Sequence, residues 1–179
     1  MIQTLHNGDV LRSLYERNSD LALAHDAPHH PRLVSSKVGS GELVLLFRKT
    51  DLPDPPDLVP LDMLKRHNLI RLSGTGAIGT LFTNNIAGGQ GAPASIAVQT
   101  YYIAASLARR GAGIAVVDEF TARASLSPDM DFRRLEHRPA FDIHCVHLED
   151  RPLSGSAKKF MSVLQATIKT ARQANGAEA

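Results

Sequence analysis

An α/β fold built on a mostly parallel sheet is the class the sequence predicts, and three features predict it. Apolar strand-like runs and helix-like runs alternate from residue 69 to residue 118 with short connections between them. A proline-dense link, "TDLPDPPDLVP" at residues 50–60, sets that block apart from what precedes it. A long amphipathic stretch, "PLSGSAKKFMSVLQATIKTARQ", then closes the chain. Strand–helix–strand connections of this length imply right-handed crossovers, so successive strands run parallel. The 179 residues suffice for one domain or two small lobes, and a composition of 43% hydrophobic and 21% charged residues supports a packed core.

The elements follow in order. "MIQTL" reads as a strand. "NGDVLRSLYERN" reads as a helix with Val10, Leu11, Leu14 and Tyr15 on one face and Asn7 or Asp9 as its cap. "DLALAHD" is a short apolar strand and "APHHPRL" a loop. "LVSSKVGSGELVLLFRK" reads as two strand-like runs broken at Gly39-Ser40-Gly41. After the proline link, "PLDMLKRHN" is a short helix with Pro60 near its start, and "LIRLS" is a strand. "GAIGTLFTNNIAG" spaces Ile78, Leu81, Phe82 and Ile86 as a helix does and ends at Gly88-Gly89. "SIAVQT" is a strand, and "YYIAASLARRG" is a helix expected to bury Ile103, Ala104 and Leu107 and to stop at Gly111. "GIAVVDEF", "DFRRLEHR" and "AFDIHCVHL" read as three more strands. The closing helix carries Leu153, Ala157, Phe160, Met161, Leu164 and Ile168 as its apolar stripe.

Several kinds of chemistry find no support. A net charge of +2 is too mild to imply nucleic acid. Lys158, Lys159, Lys169 and Arg172 read as a solvated helix face. The single cysteine, Cys145, excludes an intrachain disulfide and fits a reducing compartment. The first twenty residues turn polar within six and carry no signal-peptide core, and no run has the length of a membrane span. The expectation is a cytoplasmic protein with no membrane contact. The eight histidines form no H-E-x-x-H, and His144 and His147 fall on opposite faces of a strand. Cys145 and His147 share a face but have no third partner. No nucleophile elbow appears, and Ser156 with Lys159 reads as part of a helix start. No metal, cofactor or catalytic residue is expected.

The stretch "RLSGTGAIGTLF" contains a literal G-x-G-x-x-G at Gly74, Gly76 and Gly79. A dinucleotide site also needs an acidic residue at the end of the next strand, to hold the ribose hydroxyls. None occurs between Asp62 and Asp118. That interval holds Lys65, Arg66, Arg71, Arg109 and Arg110 instead. Two helices begin there directly after strands, one at Ser73-Gly74-Thr75-Gly76 and one at Thr100-Tyr101. In a parallel sheet both starts point into the crevice at the strands' C-terminal edge. Hydroxyls and bare N–H groups with no carboxylate suit a small anion. Ser73 and Thr100 serve equally as plain helix caps, and the two readings stand side by side. Asp118, the one acid at that edge, caps the turn "DEFTA" or holds a ligand amino group.

The order of elements and the wording of "GELVLLFRK", "LDMLKRHNLIRLSGTGAIGTLF", "IAVQTYYIAASLARRGAGIAVVDEFTARA" and "DRPLSGSAKKFMSVL" resemble the effector-binding domain of LysR-type transcriptional regulators. "ARRGAGIAVVDEFTA" is most similar to the branch that senses opines and basic amino acids, with Glu119 where that branch has proline. The resemblance implies a periplasmic-binding-protein type 2 fold of two α/β lobes, residues 1–48 plus 121–179 and residues 49–120, with mixed, mostly parallel sheets. It implies a small-molecule effector, a carboxylate or amino acid, bound between the lobes without chemistry. By position, Ser73, Gly74, Thr75 and Gly76 correspond to the effector loop, Thr100 and Tyr101 to the next helix start, and Asp118 to the return strand. Family members are homodimers whose DNA contacts come from an N-terminal winged helix-turn-helix. The chain is expected to start at the family's second strand, so that reader, the first strand and the first helix are expected to be missing. A free-standing solute-binding protein, a small α/β enzyme and a non-functional truncated remnant are the alternatives.

Overall fold

The computed structural model describes residues 2–5, 7–25, 30–72 and 96–176. The chain divides into two compact units, residues 1–40 with 142–179, and residues 41–141. Both boundaries fall inside long strands, at Ser40–Gly41 and Phe141–Asp142.

The first unit contains helix α1 (Asn7–Tyr15), strand β1 (Ala22–Ala24), the first half of β2 (Leu33–Arg48), most of β8 (Ala140–Leu148) and helix α5 (Gly155–Gly176). Strand β8 lies between β1 and β2, and β1 pairs with it antiparallel, Leu23 opposite Cys145. Side chains alternate across a strand, and β8 uses both of its faces. Val146 and Leu148 pack with Val10, Leu14 and Ala24 under α1. Cys145 points the other way and packs with Val38 and Met161 of α5.

The expected "MIQTL" strand is not formed: residues 2–5 are irregular and Ile2 is 92% exposed. The closing helix buries Ala157, Met161 and Ile168 as expected, but Phe160 is 43% exposed. Phe160 follows Ala157 by three and precedes Met161 by one, which places it at the rim of the stripe. Lys158, Lys159 and Lys169 are exposed, whereas the side chain of Arg172 lies outside the described residues. Ser154 caps this helix, its Oγ accepting from Ala157 N at 3.2 Å.

The second unit holds the rest of β2, then β3 (Leu58–Val59), α2 (Leu61–Leu64), β4 (Leu69–Leu72), β5 (Ile96–Val98), α3 (Tyr101–Arg109), β6 (Ile114–Asp118), α4 (Glu119–Ala124) and β7 (Met130–Leu135). The strands lie in the order β3–β7–β2–β6–β4–β5. Strands β4, β5 and β6 are mutually parallel, and β2 runs antiparallel to both β6 and β7. All five residues of β6 are buried, as befits an interior strand of this mixed sheet. Helix α3 packs on β4 and β6 through Ala104, Ala105 and Ala108. Ile103, expected inside, is 45% exposed. Small side chains let the helix lie close to the sheet, and the bulky Ile103 turns away. The helix expected at "GAIGTLFTNNIAG" lies outside the described residues.

The expected break at Gly39-Ser40-Gly41 does not occur, because β2 runs unbroken for 16 residues. Its glycines answer to close approach instead. A Cβ on Gly39 would stand 2.6 Å from Ile168 Cγ2, and one on Gly41 would stand 2.8 Å from both Phe120 and Phe141. Gly113, just before β6, is under a sharper constraint. Its φ is +150°, and a Cβ there would overlap the Asn68 carbonyl oxygen. That same oxygen accepts from Ile114 N at 2.9 Å, the bond that docks β6 beside β4. Replacing Gly113 by Ala is expected to cost about 3 kcal/mol through backbone strain and overlap with the carbonyl. Urea unfolding of the two proteins measures it, and a change under about 1 kcal/mol would remove this contact from the account.

Candidate functional site

Parallel strands bring like ends together, so Leu72 of β4, Val98 of β5 and Asp118 of β6 finish on one edge of the second unit. The register pairs Leu72 with Val98, and Ile70 with Ala115. Strand β4 lies in the middle, with β5 and β6 each about 4.8 Å away. The described chain reaches this edge at Leu72, at Gln99-Thr100 and at Asp118. Ser73, Gly74, Thr75 and Gly76 lie outside the described residues. Thr100, Tyr101 and Asp118 are described.

Thr100 has extended backbone, φ −136° and ψ 149°, and its Oγ1 accepts from Ile103 N at 3.3 Å. It is therefore the N-cap of α3 and satisfies one of the free N–H groups at that end. Asp118 caps α4 in the same way. Its Oδ1 accepts from Thr121 N at 2.8 Å, and its Oδ2 accepts from the Thr121 hydroxyl. The carboxylate is only 6% exposed, so these bonds offset its removal from water. Each carboxylate oxygen has two lone pairs, which leaves acceptor capacity for a further donor. Tyr101 lies beside it: burial first, and then the Asp118 charge, push the Tyr101 phenol well above its ordinary value. The edge thus sets a neutral phenol near an anionic carboxylate, with the N-terminus of α3 adjoining.

The cations of the acid-free interval are partly committed elsewhere. Lys65 reaches back to Asp62 with Nζ 2.6 Å from its Oδ1. Arg109 donates to Ser125 O at 3.4 Å and Arg71 to Leu72 O at 3.4 Å. Among the described residues no cluster of three or more His, Cys, Asp or Glu side chains could hold a metal ion. No helix among them is long and apolar enough to cross a membrane.

Comparison with known proteins decides the family. The model of the LysR substrate binding domain matches residues 1–169. The chain belongs to the LysR substrate-binding domain family. A curated relative, the HTH-type transcriptional regulator DgcR of Pseudoalteromonas sp, is 31% identical over 172 residues, or 93% of this chain. The chain spans 58% of that relative's length. Among solved structures, HinK, a LysR family transcriptional regulator from Pseudomonas aeruginosa, superposes with a TM-score of 0.71 at 11% identity. That match covers 93% of this chain and 59% of HinK. The regulatory domain of Synechocystis PCC6803 CcmR superposes with a TM-score of 0.70 at 15% identity, over 90% of this chain and 79% of that one. The architecture is that of the LysR effector-binding domains, a periplasmic-binding-protein type 2-like α/β fold. The LysR family is one of regulators and is in general non-enzymatic.

The sequence places a cap at Asp118 without naming its partner, and Glu119 without a contact. Asp-x-x-Thr directly after an apolar strand is an N-cap pattern that pairs Asp118 with Thr121. Glu119 is 3% exposed, and its Oε1 accepts from Glu42 N at 3.2 Å. No local pattern announces that contact, which joins residues on separate elements.

The raised Tyr101 pKa carries a stability consequence. Below the ordinary phenol value, about 10, folded and unfolded chains both hold the proton. Above it the unfolded chain releases the proton and the folded chain keeps it, so stability falls as pH rises. At about pH 11 the loss from this one group is about 1.4 kcal/mol. Denaturant unfolding at about pH 8 and about pH 11 should therefore show a shallower decline for Tyr101→Phe than for wild type. Equal declines would mean that the Tyr101 phenol is not held neutral by the fold.

Proposed function

We propose that this chain is the effector-sensing part of a LysR-type transcriptional regulator and that it binds a small organic anion or amino acid. The binding edge is the C-terminal end of β4, β5 and β6. Ser73, Gly74, Thr75 and Gly76 present hydroxyl and backbone donors, Thr100 and Tyr101 present the start of α3, and Asp118 receives a polar or amino group. No bond is made or broken. The single observation that carries this reading is the convergence of Thr100, Tyr101 and Asp118 with the end of β4 at Leu72 on one edge. Helix N-termini attract anions through their free N–H groups and partial positive charge. The neutral Tyr101 suits a site that meets both a carboxylate and an ammonium group, because it adds no charge of its own.

Belonging to a LysR family supports the regulatory role, and the CcmR regulatory domain, solved in complex with 2-PG, supports a small anion as the kind of ligand. A homodimer that contacts DNA through an N-terminal helix-turn-helix domain of the whole regulator completes the proposal. The HTH-type relative supports the helix-turn-helix part of it.

Isothermal titration of the chain with a panel of small carboxylates and amino acids tests the reading. At least one member is expected to bind saturably. Thr100→Ala should then raise its Kd about tenfold, the worth of one hydrogen bond to a charged group. The same substitution removes a cap worth about 1 kcal/mol, so affinity and not thermal stability is the quantity to compare. Unchanged affinity in Thr100→Ala would take Thr100 out of the site, and a silent panel would overturn the ligand class.

A further inference from the structure

The first unit contains a cavity of about 380 Å³ that shares no residue with the proposed effector edge. Leu14 and Leu148 form its apolar floor, with Leu153 and Pro152 beside them. Leu14 and Leu148 are 1% and 2% exposed, so the floor is firm core rather than loose surface. Two arginines stand on the wall, Arg17 from the turn after α1 and Arg151 from the turn after β8. Neither makes an ion pair among the described residues. The Arg151 guanidinium reaches only Leu14 O, at a long 3.5 Å, and Arg17 makes no side-chain hydrogen bond among the described residues. A guanidinium has five N–H donors, so both keep most of their capacity.

The wall is ordered by the backbone around it. Arg17 takes a left-handed φ of 62°, and the N–H groups of Asn18 and Ser19 both return to Ser13 O. Ser19 is held from the other side by Gln3, whose Nε2 donates to its Oγ at 3.0 Å. On the facing turn, Arg151 N bonds Leu148 O at 3.1 Å. A volume of this size falls in the range of small-molecule pockets, which are mostly apolar with a few convergent polar groups.

We propose that this cavity is a second small-molecule site, for a compact apolar molecule bearing one carboxylate. Arg17 and Arg151 take the carboxylate, and Leu14, Leu148 and Leu153 take the apolar body. Asp20, also on the wall, repels a second negative charge and so selects monoanions over dianions.

Methyl NMR of the chain, titrated with cyclohexanecarboxylate and separately with cyclohexylmethanol, is the test. The carboxylate is expected to shift the methyl resonances of Leu14, Leu148 and Leu153 saturably, and the neutral alcohol is not. Arg17→Gln and Arg151→Gln should each raise Kd about tenfold. Arg17 is exposed and its guanidinium holds no structural bond, so its variant folds and keeps the question open even if Arg151→Gln does not fold. Thr100→Ala should leave these shifts unchanged, which separates this site from the effector edge. Absence of saturable shifts, an equal response to the alcohol, or an unchanged Kd in Arg17→Gln would each overturn the proposal.

Discussion

Strand β6 lies between β2 and β4 with every residue buried, and that position constrains both of its ends. At the start, the chain must enter beside Asn68 with no side chain in the way, which only Gly113 allows. At the finish, the apolar run Ile-Ala-Val-Val ends on a carboxylate that is almost as buried as the valines before it. A charge at such depth persists only where donors meet it. Thr121 supplies two, from its backbone and its hydroxyl, and in doing so starts α4. The polar end of the strand is thus held in place by the helix that it begins.

The same logic carries across to β5 and α3. Three alanines face the sheet, so α3 lies close to β4 and β6, and its first turn stands over the edge where Asp118 sits. Thr100 ends the extended segment and accepts one of the free N–H groups of the helix, that of Ile103. Tyr101 then has its phenol in a buried place near a carboxylate, and both influences favour the neutral form. A cap commits one or two acceptors of the side chain and fixes the direction in which its remaining donors and acceptors point.

Most of the succession of strands and helices among the described residues was legible from periodicity, because most elements are short and each repeats with a single period. Helix α4 and strand β3 were not, and the "MIQTL" strand is not formed. What misled the reading was local chemistry that depends on distant partners. Gly39 and Gly41 looked like a break, yet each makes room for a side chain far away in sequence, Ile168 in one case and Phe120 and Phe141 in the other. Ile103 looked like core by hydrophobicity, yet the sheet selects the alanines because their size sets the helix–sheet distance. Phe160 sits at the rim of a stripe whose other members are buried or half-buried. Lys65 appeared to belong to an acid-free interval, yet Asp62 is one helical turn back. At the candidate site, Thr100 and Asp118 were legible as residues with two readings, and the structure supplies the cap geometry for both. The cavity of the first unit was not legible, because its arginines come from turns that sequence spacing does not bring together.

Glu119 shows how a departure from a family pattern keeps the geometry. The branch that this sequence resembles has proline there, at the first position of α4. Proline suits that position because its φ is already helical and its missing N–H would have no partner in the helix. Glutamate suits it for another reason, since a negative charge at the N-terminus meets the helix dipole. Here it does more. Its carboxylate accepts from Glu42 N, next to Leu43, the residue that pairs with Asp118 across β2 and β6. Glu42 in turn holds Arg134 at 2.9 Å and Arg138 at 3.1 Å through its own carboxylate. The start of α4 is therefore tied to β2, and β2 to β7, by side chains instead of by a fixed dihedral. A proline at 119 would keep the turn but leave Glu42 N without this acceptor, so the two residues are different solutions to holding Asp118 at the end of β6.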